Sequence, residues 1–333
     1  MDVRGSNSAL VIGARGVLGA LTVDAFADAG WSVRSAVKRP SAGQVRIDLA
    51  HPGSVAEALR EYELVINTVP QPGLLAERYV LERGGVLVNT SALPASAGRS
   101  LRAVAGCARG TVLMNAGLAP GVTTVAAADL LRRHPDATDL EIVFTLSLSV
   151  PRGPASLDFI HRGLTSVARH PTVVVPLPSP FGERRCLGFG EGEGGWLGGI
   201  AEGRVVRQYI CVAESAIHQR LLDLNAAGEM RTLPRSLIGA RARADRTTSH
   251  EPVAHWIAAI HSGRRLGART VECRGDFLHA ARSTVVFASA LRTVRRNGGC
   301  FDPEEICALA DVEAELSAVG ISVVPRRCGV IED

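Results

Sequence analysis

Lysine is all but missing from this chain: of its 37 basic residues only Lys38 is a lysine, and the other 36 are arginines. A lysine that forms a Schiff base, grips a phosphate in a P-loop or completes the Tyr-x-x-x-Lys pair of short-chain dehydrogenases would have to be Lys38. The pair is excluded, because Tyr62, Tyr79 and Tyr209 are followed four positions on by Ile66, Arg83 and Ala213. Genomic base composition explains the arginine bias without any appeal to function. The seven cysteines include no C-x-x-C and no metal-like cluster with histidine, so no metal is expected and scattered buried thiols are. No stretch approaches the ~18 uninterrupted apolar residues of a membrane span. The first strand-like run starts at Ala9, leaving no room for a signal peptide. A soluble, cytoplasmic protein is expected. The net charge of +4 is too mild to point to nucleic acid or a membrane surface.

The 333 residues, 46% of them hydrophobic, are enough for two domains at roughly 150 residues each. From Ala9 to Leu131 short apolar runs alternate with amphipathic segments, the rhythm of βαβ units. Strands are predicted at Ala9–Ile12, Ser32–Val37, Gln44–Ile47, Leu64–Ile66, Gly85–Val88 and Thr111–Met114, with helices between them. This is an α/β, Rossmann-type doubly wound parallel sheet, expected over residues 1–138. A second, α+β domain with a mixed or antiparallel sheet is expected over 139–300, and a C-terminal helical segment over 301–333, packing back on the first domain. In the second domain Leu140–Val150, Val205–Val212, Val253–Ile260 and Ala268–Cys273 read as strands, the last three antiparallel. Helices are predicted at Pro154–Ala168, Glu214–Ala227, Phe277–Arg295 and Pro303–Ala318, and an irregular stretch follows Pro171.

Directly after the first strand comes Gly13-Ala14-Arg15-Gly16-Val17-Leu18-Gly19, a G-x-x-G-x-x-G array opening a helix. Glycines there let the backbone turn sharply and approach a pyrophosphate, whose charge is met by free N–H groups at the helix N-terminus. A strand before and a helix after are the context the motif requires; the alternative is a merely structural glycine turn. In NAD binders an acidic residue about 20 positions on bonds the ribose 2′-hydroxyl. Nineteen residues after Gly19 stands Lys38, followed by Arg39. These cations, with Arg15 as a third contact, would attract the 2′-phosphate of NADP(H), although two solvated charges at a strand end would look the same and NAD(H) stays open. Other candidates at strand ends are Asp48 and Leu49 near the adenine, Asn67, Thr68, Val69 and Pro70 along the cofactor, and Thr90 and Ser91 near the nicotinamide. Each could equally be a cap.

The segment Asn115-Ala116-Gly117-Leu118-Ala119-Pro120-Gly121, followed by a helix rich in small residues, resembles the (Asp/Asn)-x-Gly-x-x-Pro-Gly turn of the saccharopine dehydrogenase-like family of NAD(P)-dependent oxidoreductases. Gly298-Gly299-Cys300-Phe301-Asp302-Pro303-Glu304 is similar to that family's late Gly-x-x-x-Pro-Glu turn. The resemblance covers about residues 9–150 and, loosely, 253–310. It implies a hydride transfer to or from a small imine or carbonyl substrate, with Gly117 near the nicotinamide. On the helix after Pro154, Asp158, His161 and Arg162 stand at i, i+3 and i+4 with Thr165 a turn further. His161 could donate a proton and Arg152 or Arg162 hold a carboxylate, or the same residues form a solvated face opposite Leu157, Ile160 and Leu164. Arg274, Asp276 and His279 are a second such group, and Phe189–Trp196 reads as a lid or as a plain loop. A homodimer is possible. The competing function is a non-catalytic NADP(H)-binding sensor or scaffold, favoured by the lack of an acid-base pair.

Overall fold

The computed structural model describes residues 8–70, 73–91, 93, 95–148, 150, 152–190, 203–238, 250–293 and 298–326. Contacts divide the chain into two compact units, residues 1–125 with 277–319, and residues 126–276 with 320–333.

In the first unit, β1 (Ser8–Ile12) feeds α1 (Val17–Asp28), followed by β2 (Ser32–Val37), β3 (Val45–Arg46), α2 (Pro52–Leu59), β4 (Leu64–Asn67), α3 (Leu75–Arg83), β5 (Val86–Asn89), α4 (Ala95–Val104) and β6 (Thr111–Leu113). The helix α5 (Val122–Arg133) carries the chain into the second unit. There lie β7 (Asp139–Leu146), α6 (Pro154–Thr165), β8 (Thr172–Pro176), β9 (Glu183–Gly188), β10 (Val205–Val212), α7 (Ser215–Ala227), α8 (Arg235–Ile238), β11 (Pro252–His261) and β12 (Arg264–Arg274). Then α9 (Asp276–Thr293), β13 (Gly299–Phe301), α10 (Pro303–Ile306) and α11 (Leu309–Ala318) return to the first unit, and β14 (Ser322–Arg326) ends in the second.

The first sheet runs β13-β6-β5-β4-β1-β2-β3, with every pairing parallel. Strand order reverses between β1 and β4, and a ligand crevice lies at the carboxyl ends of the strands beside such a reversal. Leu10, Ile12, Val65, Leu87 and Val112 from its strands are buried with Leu59, Val80, Leu81 and Leu101 from its helices. Continuously apolar strands such as Leu64-Val65-Ile66 are what a sheet covered on both faces demands.

The second sheet is mixed, in the order β14-β12-β11-β7-β10-β9-β8. Here β10 runs parallel to β7, with Val205 opposite Asp139, and antiparallel, as its sequence suggested, to β9. The long connection through α6, β8 and β9 makes that crossover feasible. The stretch after Pro171, expected to be irregular, contains the antiparallel pair β8 and β9. One face of this sheet buries Ile210 and Val212 against Ile160 and Leu164 of α6 and Leu221 and Leu224 of α7. No helix among the described residues is long and apolar enough to cross a membrane.

The units divide elsewhere than at the expected 138/139 and 300/301 boundaries. In the first unit, the Thr284 hydroxyl of α9 lies 2.9 Å from the Ala116 carbonyl, and Phe301 pairs with Leu113 to add a seventh strand. Residues 322–326 leave the C-terminal helices and zip onto β12 instead. The single helix expected over 303–318 is two, because Cys307 is extended at φ −144 and ψ 149.

The second unit carries a pH-sensitive core. His255 of β11 is buried, and its Nδ1 accepts the Thr145 N–H at 3.2 Å, which requires an uncharged ring. Burial pushes its pKa down to about 4, with Asp276 opposing the shift. The unfolded chain takes up this proton below about pH 6.5 and the folded one only near 4, so stability rises with pH across that interval and is lost as pH falls through it. Chemical denaturation should show a loss on the order of 3 kcal/mol from this group between pH 6.5 and 4, and His255→Gln should flatten that part of the profile. An unaltered profile in the variant would contradict it.

Candidate functional site

At the end of β1 the backbone of Gly13 adopts φ +83, and a Cβ there would fall 2.4 Å from Val69 Cγ2 and 2.7 Å from Thr68 Oγ1. A Cβ on Gly19 would fall 2.1 Å from the Gly13 carbonyl oxygen. These two glycines are therefore demanded by close packing of the loop on α1 and on the chain after β4. Gly16 donates its N–H to the Gly13 carbonyl at 2.8 Å and stands at the N-cap of α1 without a side-chain cap. Gly16 and Val17 are exposed and Leu18 is half-buried, so the first turn of α1 presents N–H groups to whatever lies outside.

Beside this loop, at the end of β2, Lys38 and Arg39 are exposed. Arg15 reaches the same place from the glycine loop: its Nη2 donates to Ser41 Oγ at 2.7 Å and to Gln44 Oε1 at 3.1 Å. Gln44 Oε1 also accepts the Ser41 N–H at 2.9 Å, fixing the turn that holds the guanidinium. Lys38 Nζ lies 3.0 Å from Asp48 Oδ2, and the other Asp48 oxygen accepts the Ala50 N–H at 3.1 Å. Lys38 foremost, then the Ala50 N–H, holds the Asp48 carboxyl below its ordinary range. Asp48 is thus a turn residue and the partner of Lys38, while Leu49 packs against the core. Ser41, Gln44 and the Asp48–Lys38 pair were not foreseen; three cations around a short polar loop was the available signal.

The ends of β4 and β5 meet on a buried carboxylate. Glu77 Oε1, from α3, accepts the side-chain amides of Asn67 at 2.8 Å and Asn89 at 2.7 Å. Each asparagine then uses its own Oδ1 to accept a backbone N–H two residues on, Val69 at 3.0 Å and Ser91 at 2.8 Å. Thr68 Oγ1 donates to the Ile12 carbonyl at 2.7 Å, and Thr90 Oγ1 to that of Asn67 at 3.2 Å. Pro70 is exposed beyond them. Glu77 gave no sign in the sequence, where it is one acid on an amphipathic helix.

The end of β6 repeats the device. Asn115, left-handed at φ 54, donates its amide to Asp302 Oδ1 at 2.9 Å and accepts the Leu93 N–H at 3.0 Å. Asp302 Oδ2 takes Arg102 Nη2 at 2.7 Å, and Arg102 also binds Glu305. Burial raises the Asp302 pKa against these stabilising contacts. Two residues on, the turn tightens so far that a Cβ on Gly121 would sit 1.9 Å from the Gly117 carbonyl oxygen. The glycine loop and the loops of Asn67, Thr90 and Gly117 therefore form a continuous carboxyl edge on the first unit, joined by the bonds Thr68 to Ile12, Thr90 to Asn67 and Ala116 N–H to the Asn89 carbonyl.

The candidates of the second unit take separate partners. Asp158 pairs with Arg235, whereas His161 Nε2 lies 3.0 Å from the Leu233 carbonyl. Arg162 is exposed, and Thr165 Oγ1 donates to the His161 carbonyl at 2.8 Å. Arg152 is buried and spent on the Ser147 carbonyl at 2.9 Å and Asp276 Oδ2 at 2.5 Å. Arg274 is exposed, and His279 is buried on α9 in the first unit. In the expected lid, Phe189 is buried edge-on to Phe159 at 5.5 Å, and residues 191–196 lie outside the described residues.

No protein-family model matches the chain, and no curated protein matches it. Solved structures do. Saccharopine dehydrogenase (L-Glu forming) from Saccharomyces cerevisiae is 13% identical with a TM-score of 0.61, over 97% of this chain and 100% of that one. Dihydrodipicolinate reductase from Paenisporosarcina sp. TG-14 is 11% identical with a TM-score of 0.43, over 92% and 100%. The WlbA (WbpB) dehydrogenase from Thermus thermophilus, in complex with NAD and UDP-GlcNAcA, is 13% identical with a TM-score of 0.40, over 95% and 94%. The chain shares the fold of the yeast enzyme along nearly its whole length.

Removing Glu77 should loosen this edge. Glu77→Ala leaves two buried amides without their acceptor, at roughly 1–3 kcal/mol each, while Glu77→Gln keeps an oxygen in place and should cost less. Denaturant unfolding of the two variants measures the difference, and equal stabilities would remove Glu77 as the clamp.

Proposed function

We propose that the protein is an NADP(H)-dependent oxidoreductase that transfers a hydride to or from a small imine or carbonyl substrate. The observation that carries the cofactor half is the cation cluster at the end of β2: Lys38, Arg39 and a tethered Arg15, next to a glycine loop with no room for a Cβ. In this reading the N–H groups at the start of α1 receive the pyrophosphate, and the cations receive the 2′-phosphate. Gly13, Arg15, Gly16, Val17, Leu18 and Gly19 line the phosphates, with Lys38, Arg39, Asp48 and Leu49 around the adenosine. Asn67, Thr68, Val69, Pro70, Thr90, Ser91 and Gly117 border the rest. The likeness in fold to saccharopine dehydrogenase supports the reaction class. The bound nicotinamide would supply or accept the hydride.

On the substrate side the reading assigns the proton to His161, with Asp158 and Arg162 beside it, in a second unit that also provides a dimer contact. A cytoplasmic location completes it. A second reading, a sensor that binds NADP(H) without chemistry, is favoured by one observation: Arg152, Asp158 and His161 are all engaged with internal partners. A screen of NADPH oxidation against 2-oxo acids, aldehydes and amines, singly and mixed, separates the two, since tight binding without oxidation belongs to the sensor.

NADPH is expected to bind roughly tenfold or more tightly than NADH, the worth of about one charge-assisted hydrogen bond at an exposed site. Lys38→Glu should remove or invert that preference, read by fluorescence titration; equal affinities in the unaltered protein would defeat the cofactor assignment. His161→Ala should lower turnover at least tenfold, about 1.4 kcal/mol of transition-state stabilisation, and unchanged turnover would leave the ring only its bond to Leu233.

A further inference from the structure

The turn from Gly117 to Gly121 is closed by backbone bonds, from the Gly117 N–H to the Pro120 carbonyl at 3.1 Å and from the Thr124 and Val125 N–H groups to the Gly121 carbonyl at 3.1 and 3.0 Å, and one hydroxyl adds to them. Thr124 Oγ1, in the first turn of α5, lies 2.9 Å from the Gly121 carbonyl oxygen and 2.7 Å from Glu304 Oε2 of α10. Both are acceptors when Glu304 is ionised, and a hydroxyl has one hydrogen to give. Both contacts are full two-centre bonds when Glu304 itself carries a proton and donates it to Thr124 Oγ1, leaving the threonine hydrogen for Gly121; with Glu304 ionised the single hydrogen is shared, as the Thr284 hydroxyl shares its own between the Ala116 and Ala280 carbonyls.

The surroundings favour that proton. As a residue Glu304 is partly exposed, but its carboxyl group lies deep among protein atoms. The charged groups near it are Asp302 and Glu305 on its own segment and Arg102 from α4. Arg102 donates to the Cys300 carbonyl, Asp302 and Glu305, so two of the three neighbouring carboxyl groups hold the guanidinium. From β13 comes the Cys300 thiol, pushed up by burial, and from the end of β6 the neutral Asn115 amide, bound to Asp302. From α5 comes the Thr124 hydroxyl. Burial, then the Asp302 charge, raises the Glu304 pKa to about 7.

We propose that Glu304 is a positioning residue that holds a proton at mildly acidic pH and, through Thr124, adds a hydrogen bond to the Gly121 carbonyl at the cofactor edge. Loss of that proton to solvent turns the Thr124 hydrogen toward the carboxylate and weakens its bond to the Gly121 carbonyl. The effect on cofactor rests on the functional reading above; the proton itself does not.

Infrared difference spectra of the full chain, unaltered minus Glu304→Gln, test the proton directly. A protonated-carboxyl band is expected at pH 6 and lost by pH 9. No such band at pH 6 would overturn the proposal. Should Glu304→Gln not fold, Thr124→Val serves instead: it removes the acceptor of the carboxyl proton and should move the band, whereas an unmoved band would overturn the hydrogen-bond chain. The coupling is read from NADPH affinity at pH 6 and pH 9. The ratio of dissociation constants should differ between the unaltered protein and Glu304→Gln by roughly two- to tenfold, the worth of one hydrogen bond; identical ratios would overturn the positioning role. No NADPH binding at either pH would remove the cofactor reading and the coupling, while the infrared result still decides the proton.

Discussion

Two buried amides hang on one carboxylate oxygen, and the edge of the first sheet depends on it. All seven strands of that sheet point the same way, so their carboxyl ends collect on one side, where backbone groups lose their ladder partners. Asn67 and Asn89 close the local gap by accepting the N–H two residues on. That leaves each amide nitrogen buried and in need of an acceptor, because an unsatisfied buried donor is costly. Glu77 supplies one oxygen to both and so fixes two loops relative to each other. Asn115 and Asp302 solve the same problem one strand further along. Here the acceptor comes from 187 residues away, which binds the late segment into the sheet.

The second unit spends its polar groups differently. Glu214 holds Ser147 Oγ and the Leu148 N–H, Arg152 holds the Ser147 carbonyl, and His255 receives the Thr145 N–H. These bonds brace β7 and its exit, while the expected acid-base residues Asp158 and His161 are engaged by Arg235 and the Leu233 carbonyl. Side chains with structural partners can still act when a ligand displaces those partners, which is why the enzyme and sensor readings part at an experiment on turnover and not at the geometry.

Much of the architecture was legible because its signals are local. Apolar runs such as Leu64-Val65-Ile66, the glycine array after Ile12 and the proline at position 154 each announce an element within a few residues. What stayed hidden is what only tertiary context defines. Gly299–Phe301 is a three-residue strand, too short for any period to show, and it exists because Thr111–Leu113 offers an open edge. The prolines around β8 and β9 masked a hairpin that pairs on the sheet's rim, where proline is tolerated. Glu77, Asp302 and Glu304 sit in ordinary acidic positions, and nothing in the linear order says that their carboxyl groups turn inward to asparagine and threonine side chains.

The lone lysine gains meaning from its partner. Lys38 does not stand as an open cation: Asp48 occupies it at 3.0 Å. A ligand that engages the lysine must offer more than the carboxylate it displaces, or share the ammonium with it. A ribose 2′-hydroxyl is neutral and would leave the ion pair in place, whereas a 2′-phosphate carries up to two negative charges and three acceptor oxygens. Arg15, set in place by Ser41 and Gln44, adds a guanidinium whose planar fork suits phosphate oxygens. Under the proposed reading, discrimination at the end of β2 is therefore a contest between a carboxylate of the chain and a phosphate of the ligand. Such a contest weakens with salt, because exposed charges are screened within about 8–10 Å at physiological ionic strength.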